Sequence, residues 1–195
     1  MRVSVAFMLS ATLAMPLLAA ENRQAAAPKP WPQEPSTFMG IDFNKKLEYS
    51  LPQCPAGYGI PTAMCRAPAY KQVYSIKGGP TLGSIGSYTL SAYANPDGVD
   101  AFYLTTKSEN FAELAKIFIA KYGEPTGRLQ NTVQTKRGGE FTDDILHWKG
   151  KTIAIMMERY DGDINTSSVM IQTLSSLAAT TQQGNDKTKD AAGKL

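Results

Sequence analysis

Between Glu109 and Tyr122 the side chains Phe111, Leu114, Ala115, Phe118 and Tyr122 recur at intervals of three and four, with Ile119 beside them. That spacing gathers them on one stripe of an α-helix. Thr106 and Glu109 stand at capping-box spacing near its start. Gly123 offers a left-handed stop, and Pro125 blocks continuation. The pattern predicts one main helix over about 108–122.

Elsewhere apolar and polar positions alternate, as they do in half-buried strands. Gly86–Ala94 and Val99–Thr105 flank the turn sequence Asn95-Pro96-Asp97-Gly98 and are expected to pair as a hairpin. Leu129–Thr135 reads as a strand running to the Gly138-Gly139 turn. Asp144–Trp148 and Lys151–Tyr160 read as a hairpin closed through Lys149-Gly150, and Ser168–Thr173 as a last strand. Near the start, Phe38–Ile41 reads as a short strand leading to a brief helix around Lys45–Tyr49. One strong helix among hairpin-linked strands implies the α+β class: an antiparallel sheet packed on that helix, in a single domain.

The ends of the chain have another character. Arg2, the apolar run Val3–Leu18 and the small residues Ala19 and Ala20 have the layout of a signal peptide over 1–20. The run is at the short end of the roughly 20 residues that cross a bilayer. The expectation is therefore export, to the periplasm or beyond, with no stable membrane insertion after cleavage. Residues 21–37 carry Pro28, Pro30, Pro32 and Pro35 among alanines and read as a Pro/Ala-rich tether. Residues 175–195 turn to Thr, Gln, Gly, Asn and Lys and read as a disordered tail. Residues 38–174 remain as the α+β domain, of ordinary size for a single core.

Charge removes one class of partner. Lys and Arg number 20 against 17 Asp and Glu, a formal net charge of +3. The basic residues are scattered in short groups such as Lys45-Lys46, Lys136-Arg137 and Lys149/Lys151, unlike the concentrated patch of a nucleic-acid binder. Cys54 and Cys65, with turn-forming residues between them, are expected to form a disulfide in an oxidising compartment. Two thiols without a neighbouring histidine fall short of the four ligands of structural zinc.

Few residues offer chemistry. His147 is the sole histidine, and no G-x-S-x-G elbow exists to partner it. The stretch Gly78–Gly86 lacks the ending of a phosphate-binding loop and reads as a flexible surface loop. Asp161-Gly162-Asp163-Ile164-Asn165 starts like a calcium loop. It departs from that pattern at Thr166 and Gln172, where glycine and glutamate belong, and suits a hairpin turn. Glu140, Asp143 and Asp144 lie close in sequence but read as a solvated rim. Tyr88, Tyr93, Phe102, Tyr103, Trp148 and Tyr160 fall on expected strands. Most are expected to pack in the core with a half-buried rim; Tyr93, Trp148 or Tyr160, if exposed on the face away from the helix, would be anchors of the kind enriched at interfaces. No residue is assigned to catalysis, to a metal or to a cofactor.

Phe38-Met39-Gly40-Ile41 before a short helix, with later hairpins and a helix ending on Lys121-Tyr122-Gly123-Glu124-Pro125, resembles helix-and-sheet modules of small bacterial envelope proteins. These include outer-membrane assembly lipoproteins and β-lactamase-inhibitor-like proteins. The resemblance covers about half of the domain, and the lipid-anchor cysteine of the first group is missing. It implies a binding role. The expectation is a periplasmic or secreted, non-catalytic domain that binds an unidentified envelope or extracellular protein. The alternatives are an envelope-polymer hydrolase using carboxylates and a small-ligand or glycan binder.

Overall fold

The computed structural model describes residues 31–57, 59 and 61–194. The expected leader over 1–20 and the first part of the tether lie outside them. In chain order the elements are β1 (Thr37–Phe38), β2 (Ile41–Asp42), α1 (Leu47–Ser50), β3 (Cys65–Arg66), β4 (Val73–Lys77), β5 (Thr89–Ala94) and β6 (Val99–Lys107). A 3-10 turn, Ser108–Asn110, leads into α2 (Phe111–Tyr122). Then come β7 (Gly127–Gln134), β8 (Glu140–Lys149), β9 (Ile153–Glu158), β10 (Thr166–Thr173) and α3 (Leu174–Ala192).

Strands β3 to β10 make one antiparallel sheet in the order β3-β4-β5-β6-β10-β9-β8-β7. Consecutive strands pair at every step but one. Between β6 and β7 the chain crosses from the middle of the sheet to its edge, and α2 is the crossing element. Successive hairpins then bring β10 back against β6, with Val169 opposite Leu104. The fold is thus α+β, an antiparallel sheet with the main helix on one face, as the pattern predicts.

Strand alternation sorts the core. The row Leu146–Met157–Val169–Leu104–Leu90–Ile76 follows from the registers and points to the α2 side. So does the row Trp148–Ile155–Ile171–Phe102–Ala92, whose members are nearly inaccessible. Onto them α2 presents Phe111, Leu114, Ala115, Phe118 and Tyr122, all buried. Phe118 lies 6.4 Å from Trp148 and 5.4 Å from Tyr122 between ring centres. Burying such a ring stabilises the fold by about 1.5–3 kcal/mol.

The two ends of α2 are finished differently from one another. At the start the capping box is not formed. Thr106 still belongs to β6, where its hydroxyl donates to Ser87 O at 2.8 Å and accepts from the Asn110 amide at 2.9 Å. At the other end Gly123 has φ +77° and donates to Ile119 O at 2.8 Å, the stop expected. The last carbonyls of a helix lack partners within it. Here two tryptophan indoles supply them: Trp31 donates to Tyr122 O at 2.7 Å, and Trp148 to Gly123 O at 2.8 Å.

Trp31 corrects the tether reading from residue 31 onward. Its ring is buried edge-on against Tyr122, at 6.4 Å. Proline-rich composition removes backbone donors, yet it does not prevent a large aromatic from docking. Phe38, Ile41, Phe43 and Leu47 continue the same layer. Phe38 and Phe43 both pack on Phe102, at 5.2 and 5.3 Å.

The C-terminal segment, read as disordered, carries α3 instead. Thr173 caps it by accepting from Ser176 N at 3.1 Å, and Gln182 donates to Asp186 one turn on, at 2.9 Å. The polar composition shows in another way, since α3 buries none of its residues.

Two strands, β3 and β4, fall where no strand is expected. Their few apolar positions are too short a run to show a period. The glycine stretch 78–86 is a loop, but it is pinned: Ile85 donates to Leu82 O at 2.9 Å and is buried in the core. Cys54 and Cys65 are joined, with Cα atoms 4.9 Å apart, and the bridge borders the short edge strand β3. Such bridges suit an oxidising compartment. Among the described residues no helix is long and apolar enough to cross a membrane.

Candidate functional site

The face of the sheet opposite α2 is where side chains meet solvent. Its middle row, fixed by the strand registers, runs Gly127–His147–Met156–Met170–Tyr103–Ser91–Ser75. A second row runs Leu129–Ile145–Glu158–Ser168–Thr105–Thr89, and a third runs Lys149–Ala154–Gln172–Ala101–Tyr93–Val73. Small residues, Ala101, Ala154 and Ser168, are buried between larger ones. Met156 is 41% exposed and Tyr93 37%, so thioether and ring project above that floor. Both chemistries suit contact with a protein surface, Met by its adaptable shape and Tyr by large area at low entropic cost.

Of the three candidate anchors, Tyr93 alone is exposed on this face, and Trp148 packs in the core. Trp148 is wholly buried on the α2 side, because the parity of β8 that brings Leu146 to the helix brings Trp148 with it. Tyr160 lies just past β9 and packs edge-on against Phe141, at 5.9 Å.

Beside the methionines the carboxylates of Asp143, Glu158 and Asp161 come together, with Tyr103 brought to Asp161 from 58 positions away. Tyr103 donates its hydroxyl to Asp161. Burial, the hydrogen bond to Asp161 and the Asp161 charge push the Tyr103 phenol up to about 12. Burial, followed by the charges of Asp161 and Asp143, also raises the Glu158 carboxyl above its ordinary value. Asp143 is itself buried and accepts from Tyr160 N at 3.0 Å.

The acidic trio in β8 is divided by strand alternation. Asp143 faces the open side. Asp144 faces the other, where it pairs with Arg159 at 2.7 Å and accepts from Gln130 at 2.7 Å. Glu140 is exposed at the far end of the strand. The calcium-like stretch is the β9–β10 turn, closed by Asp161 N on Thr166 O at 2.9 Å. Its Asp163 accepts from Asn165 N at 2.7 Å, which lowers the pKa of that carboxyl. Among the described residues no three or more His, Cys, Asp or Glu side chains are grouped to hold a metal.

His147 lies on the open face over Gly127. A Cβ at 127 would run into the imidazole, so the missing side chain makes room for the ring.

On the helix side a groove of about 550 Å³ separates α2 from β7, lined among others by Phe111, Ala115, Gln130, Asp144 and Arg159. The Arg159 guanidinium lies 5.1 Å from the Phe111 ring centre, so its apolar floor and ion pair hold one another in place.

Sequence reasoning names Tyr93 and misses Met156, Met170 and Glu158. Their signal is the register alone: Met156 opposite Met170 and Glu158 opposite Ser168 become neighbours only once β9 and β10 are paired. Comparison with protein families, curated proteins and solved structures finds no match to this chain.

Proposed function

We propose that the protein is an exported, non-catalytic binding domain that takes an envelope or extracellular protein partner on its open sheet face. The observation that carries this reading is the exposure of Met156 and Tyr93 above a floor of small buried residues on the side of the sheet away from α2. Tyr103, Met170 and His147 lie between and beside them in the middle row. An aromatic and a methionine surrounded by polar groups resemble the anchors of protein interfaces. The Cys54–Cys65 bridge fits a domain that works in an oxidising compartment.

Capture of envelope proteins on the immobilised domain tests the reading. Met156→Asp and Tyr93→Asp are each expected to lower recovery of the same partner by about tenfold or more, the scale of an interface anchor. Tyr49→Asp, on α1, is expected to leave recovery unchanged. Equal recovery by all three variants would overturn the proposal.

One observation favours a second reading, hydrolysis by carboxylates. Burial, with the charges of Asp161 and Asp143, raises the Glu158 carboxyl above its ordinary value, the direction a general acid needs. Glu158→Gln separates the two: it would abolish turnover of an envelope polymer and leave capture of a protein partner in place.

A further inference from the structure

We propose that β7 pairs with β7 of a second copy of this chain, antiparallel, about a two-fold axis at Asn131. The two edges of the sheet are unlike. At one, β3 is only two residues long and is flanked by the disulfide. At the other, β7 runs for eight residues in unbroken register on β8, from Gly127 opposite His147 to Gln134 opposite Glu140, with no bulge. It has no proline, and Arg128 is its one charge. Proline, bulges, charges and short length are the usual protections of an edge strand; β7 keeps only one of them, Arg128 near its start on the α2 side, where Glu124 pairs with it at 2.8 Å.

The strand is complementary to itself. Around Asn131 the sequence reads Leu129-Gln130-Asn131-Thr132-Val133, with apolar residues two places to either side on the open face. A two-fold axis at Asn131 sets Leu129 of each copy opposite Val133 of the other. Leu129 is 56% exposed in the single chain. On its own side it is paired with Ile145, and Val133 is paired with Phe141, itself 36% exposed. Across the axis the row becomes Ile145–Leu129, then Val133–Phe141 of the second copy, and the same again in reverse. Four apolar side chains that end at an open edge in one chain become a continuous strip in two.

Charge agrees with the same register. On the other face Arg128 falls opposite Gln134 of the second copy, whose β8 neighbour is Glu140. No like charges are opposed, which would be destabilising between paired strands. A second copy pairs β7 from Arg128 to Gln134, with the main-chain pairing and alternating side-chain contacts that give strand addition its affinity and register.

The test uses the full mature chain. Sedimentation across the micromolar range is expected to show a reversible dimer, and Leu129→Lys is expected to weaken it by roughly a hundredfold while the circular dichroism and melting temperature of the monomer stay unchanged. Asn131→Cys is expected to form a covalent dimer on mild oxidation, because a residue on the axis faces its own copy. Tyr49→Cys is expected to remain monomeric under the same conditions. A wild-type chain that stays monomeric throughout would overturn the proposal, whether or not β7 accepts a strand from another protein. So would a dimer that survives Leu129→Lys and gives no cross-link at position 131.

Discussion

The Glu34 carboxylate accepts the backbone N–H of Thr152 at 2.6 Å, joining positions 118 residues apart in sequence. It also accepts from Lys151 N, Ile153 N and the Thr152 hydroxyl, at 2.8, 2.7 and 2.8 Å. One side chain thereby satisfies the turn between β8 and β9. Gly150 is part of the arrangement, since a Cβ there would strike the Glu34 carboxylate. Together with the Trp31 indole on Tyr122 O, this contact fastens the N-terminal segment across the end of the sheet.

The two termini are therefore expected to respond unequally to truncation. Trp31→Ala should cost about 3–5 kcal/mol, the range for deleting a large buried aromatic. Glu34→Ala should cost about 1–2 kcal/mol, as its hydrogen bonds are charge-assisted but partly solvated. Removing residues 178–195 should leave the melting temperature nearly unchanged, because residues 178–194 are exposed. Thermal unfolding of the three variants measures this. Equal losses at both ends would contradict the docking of residues 31–37.

Two glutamates should shape the pH dependence with opposite signs. Burial would raise the Glu34 carboxyl, but hydrogen bonds from Lys151, Thr152 and Ile153 outweigh it and hold the pKa below 4.5. Its contribution is present above pH 4.5 and is lost as pH falls through the lowered value. Glu158 is held above 4.5, so its ionisation penalises the fold as pH rises from 4.5 through the raised value. Glu158→Gln should accordingly be more stable than wild type at pH 7, with the gain vanishing in acid. Glu34→Gln should be less stable at pH 7, its deficit also shrinking in acid. Urea unfolding at pH 7 and in mild acid measures both.

Inside the domain, Phe118→Ala should cost on the order of 3–5 kcal/mol, while Lys116→Ala should change stability by less than about 0.5 kcal/mol. Phe118 is buried under the sheet; Lys116 is exposed, with Glu113 as a 3.6 Å partner. Chemical denaturation separates them, and similar effects would mean that another face of α2 is turned inward.

Reduction of Cys54–Cys65 should lower the melting temperature and leave α2 and the sheet in place. A closed loop of about 12 residues contributes roughly 3 kcal/mol on the chain-entropy estimate. Alkylation of the unfolded, unreduced protein should add no alkyl groups, and addition of two would contradict the bridge.

Local patterns made α2 and the β5–β6 hairpin readable, because their information is local. The Asn95 side chain that accepts from Asp97 N and Gly98 N, at 2.7 and 3.1 Å, lies within the turn it forms. The same holds for Gly123 at the helix end. What the pattern could not show depends on distant partners. Trp31 among prolines has no period, and its place is set by the Tyr122 carbonyl that α2 leaves open, 91 positions away. Trp148 looks like a strand aromatic of either face until the register of β8 assigns it. The open-face group of Tyr103, Glu158 and Asp161 is assembled by three elements, so no stretch of sequence contains it.

The central claim is that the open face holds a protein partner, and site-specific photo-cross-linking in the native envelope tests it most directly. A photoreactive side chain at Met156 or Tyr93, 41% and 37% exposed on that face, is expected to give one and the same adduct with a different protein. At Tyr49, 75% exposed on α1, the same group is expected to give none. Absence of any adduct from Met156 and Tyr93, or identical adducts from all three positions, would contradict the account.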